Sequence, residues 1–127
     1  MSKSPKFVVD CADHAGFVRL ANGDKTILTR ANKSSTQKED YTEATSGDVL
    51  ELFDIETGNK VLARVESMQF FESISELFNK SDIADETFEK KFENEQELRA
   101  EYEKNRPGYT KLLDDNGIVA WRIELIE

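Results

Sequence analysis

The sequence predicts an α+β fold, and three observations carry this prediction. Short runs of β-branched and apolar residues, bounded by glycine and asparagine, occupy much of the first half of the chain. Apolar residues at helical spacing dominate the region that follows. Alternating apolar residues return near the C-terminus, so strands stand on both sides of a helical region instead of alternating with helices one by one.

The first predicted elements surround a glycine turn. Phe7 to Val9 is a short apolar strand, and Ala12 to Ala21 is a helix. Gly23 ends this helix because glycine adopts a positive φ at no steric cost. The next strand, Thr26 to Arg30, begins directly after Lys25, and alternation puts Lys25, Ile27 and Thr29 on one face and Thr26, Leu28 and Arg30 on the other.

The middle of the chain predicts a loop followed by a hairpin. Asn32 to Ser46 is polar and long, so we expect a binding loop that contributes nothing to the core. Val49 to Phe53 and Lys60 to Val65 are predicted strands that a turn at Gly58 joins.

Helices are predicted in the second half of the chain. Ser73 and Glu76 have the spacing of a capping box at the start of a short helix. Two further helices are expected to meet near Asn94, which caps the second, and Pro107 stops that helix. Asn116-Gly117 predicts a final hairpin whose second strand has one apolar face, formed by Val119, Trp121, Ile123 and Leu125.

Three short motifs resemble those of the ASCH domain family (activating signal cointegrator homology). Gly23, Lys25 and Arg30 stand in the register of the family's Gly-x-Lys-x-x-x-x-Arg signature. Gly47-Asp48, which opens a strand, resembles the second block, and Ala63-Arg64-Val65 resembles the strand after it. The order and spacing of the motifs carry the resemblance, which covers most of the chain.

This resemblance implies a fold and a ligand class. ASCH domains resemble the PUA fold, a small, strongly curved β-barrel with flanking helices, and are linked to RNA or modified-nucleoside ligands. The length suits one domain, so residues 1–127 are expected to form a single ASCH domain. Its expected ligand is a nucleobase, a modified nucleoside or a short RNA element.

Composition and charge limit the classes of partner that the protein is expected to bind. The chain has 17 basic and 26 acidic residues, and its net charge of -9 argues against general binding to nucleic acid. Residues 1–47 instead have a net charge of +1, from 7 basic and 6 acidic residues, which suits a local cationic mouth and a confined ligand. With no apolar run that could span a bilayer, no apolar segment of a secretion signal and Cys11 as the single cysteine, we expect a cytoplasmic protein without a membrane role.

The ligand contacts are predicted around the signature. The resemblance implies that Gly23, Lys25 and Arg30 line the cleft, and the planar guanidinium of Arg30 suits a phosphate or carboxylate. A surface ion pair with an acidic residue is the alternative role for Arg30. Lys33 adds a charge from the polar loop, and Tyr41 is the predicted stacking partner because aromatic faces bind unpaired bases.

Hydrolysis of N4-acylated cytidines is an alternative function that the resemblance implies. Some ASCH proteins resemble amidohydrolases that use a lysine, a threonine three residues later and a glutamate from the helical region. Lys25 matches the lysine, whereas Leu28 stands at the threonine position and has no oxygen. The substitutes are Thr26 or Thr29 for the hydroxyl, if the strand bulges, and Glu86 and then Glu76 for the acid.

Other roles have less support in the sequence. Cys11 and His14 have helical spacing, but with one residue of each kind in the chain we expect packing roles, no metal site and no cofactor. A third class of function is a regulatory domain whose acidic helices meet RNA or a protein partner through Glu93, Glu97 and Glu101. The sequence leaves the oligomeric state open.

Overall fold

Five strands and five helices make up the part of the chain that a computed structural model describes, which comprises residues 5–11, 14–24, 26–32, 40–80, 83–88 and 90–126, without the side chains of residues 84, 86, 87 and 105. The strands are β1 (Phe7–Cys11), β2 (Ile27–Ala31), β3 (Val49–Asp54), β4 (Lys60–Phe71) and β5 (Ile118–Leu125). The helices are α1 (His14–Ala21), α2 (Ile74–Lys80), α3 (Ile83–Phe88), α4 (Glu95–Asn105) and α5 (Tyr109–Asn116), and a 3-10 turn spans Tyr41–Glu43. The predicted α+β class is confirmed.

The strands form one curled sheet in the order β1-β3-β4-β5-β2. β1 is parallel to β3, and all other neighbours are antiparallel. β1 and β2 are the two edges, yet Arg30 in β2 donates from Nη2 to the carbonyl oxygen of Asp10 in β1 at 3.0 Å. A sheet whose edges approach this closely is a half-barrel, which confirms the predicted curved, barrel-like sheet with flanking helices and is compatible with the PUA fold.

Each face of the sheet has its own apolar core. The inner core contains side chains from all five strands and from α1, with Trp121 fully buried among them. The outer core joins β2, β4 and β5 to α2, α3, α4 and α5. β2 lies between the two cores, because Leu28 packs into the inner core and Ile27 into the outer one. Burial on both faces fixes the strand that carries the signature.

The predicted caps set the helix boundaries. Asn94 Oδ1 accepts from the N–H of Glu97 at 3.0 Å and begins α4. Ser73 Oγ accepts from the N–H of Glu76 at 3.2 Å, at the start of α2. These side-chain oxygens replace intrahelical acceptors that the first turn lacks, as the sequence pattern predicted.

Two elements differ from the prediction. The final hairpin is wrong, because α5 runs to Asn116 and Gly117 caps it with φ 87° and its N–H bonded to the Leu113 carbonyl. Asn-Gly suits a helix end as well as a hairpin turn, since both require a positive φ. β4 continues beyond the predicted Val65, because a register shift between Val65 and Ser67 interrupts the alternation without ending the pairing with β5.

The polar segment after β2 contributes to the core, which contradicts the prediction for Asn32 to Ser46; its residues 33–39 lie outside the described part. The ring of Tyr41 packs between Phe7 and Trp121, at centroid distances of 5.2 and 5.1 Å. Ala44 is fully buried, and its carbonyl accepts from the Trp121 indole N–H at 2.9 Å. Tyr41 is therefore a core residue whose ring faces other aromatic rings, and its role as a stacking partner for a base stays a prediction.

Candidate functional site

The candidate site lies at the carboxyl end of β2, where the two sheet edges approach each other. β2 pairs with β5 from Ile27 to Ala31 without a register shift, so the bulge that would re-aim its side chains is absent from this described strand. Backbone groups alternate in direction along an edge strand, which turns the Thr29 carbonyl and the Ala31 N–H away from β5 and toward the gap. Both groups bond to side chains there, those of Arg30 and Tyr109.

Arg30 is the cation of this gap. It donates from Nη1 to the Thr29 carbonyl at 2.7 Å and from Nε and Nη2 to the Asp10 carbonyl at 3.3 and 3.0 Å. Nη2 also contacts the sulfur of Cys11 at 3.6 Å. The carbonyl acceptors are neutral, and no carboxylate among the described residues forms an ion pair with Arg30, so the predicted alternative of a surface ion pair has no support there.

The charge of Arg30 is thus held without a counter-charge from the described part of the chain. Burial lowers the pKa of Arg30, whereas the neighbouring Cys11, Tyr109, Tyr41 and Tyr102 groups raise it, and the net shift is upward. The guanidinium is therefore always protonated. One of its two Nη1 hydrogens has no described acceptor, which leaves it available to a ligand.

Two polar side chains beside β2 were missed by the sequence analysis. Asn32 continues the strand face of Arg30, is only 9% exposed, and accepts from the Tyr41 N–H through Oδ1 at 2.8 Å. Tyr109 is 8% exposed, and its hydroxyl oxygen accepts from the Ala31 N–H at 2.7 Å. The Asn32 Nδ2 hydrogens and the Tyr109 hydroxyl hydrogen have no acceptor among the described residues. We call these hydrogens, with the remaining Nη1 hydrogen of Arg30, the open donors.

No sequence signal could have found these two residues. Asn32 begins a polar segment in which an asparagine is ordinary, and Tyr109 follows a Pro-Gly pair that indicates only a turn. Both are neighbours of Ala31, because Asn32 follows it in the chain and α5, which starts beside the edge strand β2, brings the Tyr109 hydroxyl to its N–H. That arrangement depends on the whole fold, since the two residues are far apart in the chain.

A pair of hydroxyl groups lies on the face of β2 opposite to Arg30. Thr29 Oγ1 and the Tyr102 hydroxyl are 2.8 Å apart, and both residues are buried. Burial raises the pKa of Tyr102, so its hydroxyl is neutral in the physiological range. Thr29 therefore faces α4 and is not directed into the gap beside Arg30.

The other predicted site residues do not converge on Arg30 within the described structure. Gly23 and Thr26 lie at the opposite end of β2, where they line a groove of about 280 Å³ together with Leu20, Glu66, Ile123, Glu124 and Leu125. Leu28, at the threonine position of the signature, is 1% exposed in the inner core. Glu76 accepts from the N–H of Glu72 at 3.0 Å and so helps to cap α2.

Three predicted residues cannot be compared with the structure. Lys25, Lys33 and the side chain of Glu86 lie outside the described part of the chain. Their roles stay predictions. The backbone of Glu86 belongs to α3, the helix that packs near β2.

A separate polar cluster joins α1 to the turn after β3. Asp54 is fully buried and accepts from His14 Nδ1 and Thr57 Oγ1, both at 2.7 Å, and from the N–H of Glu56 at 3.1 Å. Burial alone would raise the pKa of Asp54, but the hydrogen bonds from Thr57 and His14 outweigh it, and the pKa is lowered. Ligand atoms of His14, Asp54 and Glu56 lie within 4.8 Å of one another.

Comparison with known proteins identifies a fold class. No family model and no curated protein matches the sequence. Solved structures that match include hypothetical protein PH0355, with 18% identity, a TM-score of 0.66, and coverage of 94% of this chain and 98% of that one. Protein PF0455 from Pyrococcus furiosus has 21% identity and a TM-score of 0.55, and the match covers 95% and 97% of the two chains.

A third matching structure is protein EF3133 from Enterococcus faecalis V583, whose family is given as DUF984. It has 13% identity and a TM-score of 0.61, and the match covers 99% of this chain and 82% of that one. At such identities the likeness shows the fold alone, so the chain has the fold of a class of small α+β proteins with a curled half-barrel sheet. No helix in the described ranges has the length and apolar character needed to cross a membrane.

Proposed function

We propose that the chain is a single ASCH domain that binds a nucleobase, a modified nucleoside or a short RNA element in the gap beside Arg30. The observation that carries this proposal is a guanidinium without a described counter-charge, beside the open donors of Asn32 and Tyr109. A buried donor without an acceptor costs about 1–3 kcal/mol. A ligand with polar acceptors would remove that cost, which makes the cluster easier to explain as a binding site than as a stabilising one.

The ligand class follows from charge and from the family resemblance. With a net charge of -9, the protein is poorly suited to a long polyanion, because binding by counterion release needs a basic surface. A single base or a short element makes fewer phosphate contacts and suits one confined cation. The Gly23, Lys25 and Arg30 register supplies the association with nucleosides and RNA, and Arg30 is proposed to contact the ligand.

Hydrolysis of N4-acylated cytidines is not favoured by a specific observation. Leu28 is buried in the inner core, and Thr29 bonds to Tyr102 on the outer face of the strand. Thr26 lines the groove at the far end of β2. No hydroxyl of the described signature strand therefore faces Arg30, and we propose binding without turnover.

The acidic helices are also less suited to be the main recognition surface. Glu97 Oε1 accepts from the N–H of Glu93 at 3.0 Å, and Glu101 forms an ion pair with Lys90 at 3.7 Å. Two of the three predicted glutamates therefore have partners within the protein. This favours the gap beside Arg30 over the acidic face.

Calorimetric titration tests the proposal. Cytidine, N4-acetylcytidine, uridine, guanosine, adenosine and single-stranded RNA hexamers are added to the wild type, to Arg30→Gln and to Arg64→Gln, and N4-acetylcytidine is also added to Lys25→Ala. Arg64 lies on β4, forms an ion pair with Glu124 and serves as the matched control. We expect Arg30→Gln to weaken binding by at least about tenfold, with an unchanged circular dichroism spectrum, because a charged hydrogen bond is lost.

Three outcomes would contradict this function in different ways. Absence of binding by every ligand rejects a nucleobase or RNA site. Equal affinities of the wild type and Arg30→Gln reject the gap beside Arg30 as the binding site. Chromatography of the N4-acetylcytidine samples is the third test, since turnover that disappears in Lys25→Ala would establish an amidohydrolase.

A further inference from the structure

The open donors determine which atoms of a ligand this site could bind. We propose that Asn32 and Tyr109 are specificity-determining residues which, together with Arg30, select a nucleobase through two adjacent hydrogen-bond acceptors. The inference rests on the proposed function, because it names the ligand class of the same site. It adds two residues that belong to none of the sequence motifs.

The backbone contacts fix which atoms of these side chains remain available. The Tyr41 N–H can only donate, so the atom of Asn32 bonded to it is the amide oxygen, and the amide nitrogen is left over. The Ala31 N–H likewise occupies a lone pair of the Tyr109 oxygen and leaves the hydroxyl hydrogen to donate. Arg30 has no acceptor at all. Within the described part of the gap, this accounting leaves hydrogens to donate on all three side chains, beside one further lone pair on each of the Asn32 and Tyr109 oxygens.

Because these groups are buried, their hydrogen bonds should contribute strongly to ligand selection. Asn32 and Tyr109 are 9% and 8% exposed, so bulk water has little access to them. The oxygen of Asn32 accepts a hydrogen bond from the Tyr41 N–H. The hydroxyl oxygen of Tyr109 accepts one from the Ala31 N–H at the edge of β2. No described residue accepts a hydrogen bond from the Asn32 Nδ2 hydrogens or from the Tyr109 hydroxyl hydrogen.

Nucleobases differ in how they would meet such a set of donors. Cytosine presents O2 and N3 side by side, and guanine presents O6 and N7, so each offers two adjacent acceptors. Adenine places its N6 amino donor beside both N1 and N7, and uracil places its N3–H between two carbonyls. A donor opposed to a donor leaves both without an acceptor, which disfavours adenine and uracil.

The experiment compares natural bases with analogues that lack one acceptor. Cytidine is paired with 3-deazacytidine, guanosine with 7-deazaguanosine, and uridine and adenosine complete the set; hexamers of the same nucleosides replace them if only RNA binds. We expect cytidine or guanosine to bind at least about tenfold more tightly than uridine, adenosine and its own deaza analogue. Whichever pair shows this ratio identifies the base.

Asn32→Asp is the decisive variant, because it keeps the oxygen that accepts from Tyr41 and replaces the donor with an acceptor. It should abolish the ratio between the natural base and its deaza analogue, whereas Asn59→Asp, the same change in the exposed turn before β4, should preserve it. Tyr109→Phe removes one open donor without adding charge and should reduce the ratio; it decides the question if Asn32→Asp does not fold.

The outcomes separate this inference from the function on which it rests. If no nucleoside or hexamer binds the wild type, both fail. If ligands bind but uridine and adenosine match cytidine and guanosine, or if the ratio survives in folded Asn32→Asp and in Tyr109→Phe, the donor-based selection is overturned while the binding function stands.

Discussion

Two polar clusters that include residues of α5 each contain an arginine. They differ in whether carboxylates balance the charge of that arginine. The open cluster, at the N-terminal end of α5, consists of Arg30, Asn32 and Tyr109. The closed cluster, where α2, α4 and α5 meet, consists of Ser75, Glu95, Arg99 and Asp114. Arg99 donates from Nε to Glu95 and from Nη1 to Asp114, both at 2.7 Å, whereas the described partners of Arg30 include no carboxylate.

The closed cluster also connects three helices through its carboxylates. Glu95 accepts from Ser75 Oγ at 2.6 Å, and Asp114 accepts from the N–H of Ile74 at 3.0 Å. The hydrogen bonds that Arg99 donates to Asp114 and Glu95 raise its pKa. The closed cluster therefore stabilises the helix layer, whereas the open cluster has hydrogen-bond donors that the described residues do not use.

Breaking the closed cluster should have the largest effect on stability. Asp114→Ala removes one acceptor for Arg99 and the acceptor for the Ile74 N–H at the start of α2, and we expect a loss of about 2 kcal/mol in the free energy of unfolding. Urea unfolding followed by circular dichroism measures it. Asp115→Ala is the control, because Asp115 is exposed and, among the described residues, pairs only with Lys111 in the same helix, and it should cost less than about 0.5 kcal/mol. Equal losses in the two variants would show that the cluster adds no stability.

A change in the open cluster should have the opposite sign. Asn32→Asp keeps the bond to the Tyr41 N–H and puts a carboxylate on the strand face that Arg30 occupies. If Arg30 lacks a counter-charge, this variant should raise the free energy of unfolding by about 1 kcal/mol while it removes nucleobase selection. The same urea experiment at neutral pH measures the change. A clear loss of stability would mean that the charge of Arg30 is already balanced.

The comparison also explains what the sequence could predict. The α+β class, the caps at Ser73 and Asn94 and the apolar face of β5 follow from local patterns, because periodicity and capping involve residues a few positions apart. Burial of Tyr41 and the role of Gly117 at a helix end do not, since tertiary packing decided between alternatives that the local sequence left equal. The site was predictable only as far as Arg30. Its neighbours Asn32 and Tyr109 come from the curl of the sheet and the position of α5.

The pH dependence of stability separates the two clusters most finely. A hydrogen bond from Ser75 and then one from Arg99 lower the pKa of Glu95. Because the folded-state pKa lies below the unfolded value of about 4.3, ionised Glu95 contributes stability at higher pH and loses it as the pH falls through the folded-state pKa. The charge of Arg30 does not change in this range.

Unfolding midpoints of the wild type and Glu95→Gln should therefore differ at about pH 7, and the difference should shrink as the pH falls below about 4.3 and through the folded-state pKa of Glu95. Glu66→Gln, an exposed position on β4, is the matched control. The stability effect of Asn32→Asp should shrink over the same interval, because the introduced aspartate is protonated while Arg30 keeps its charge. A Glu95→Gln difference that persists in acid would mean that packing of the side chain, and not its charge, stabilises the closed cluster, and the contrast with Arg30 would then no longer be electrostatic.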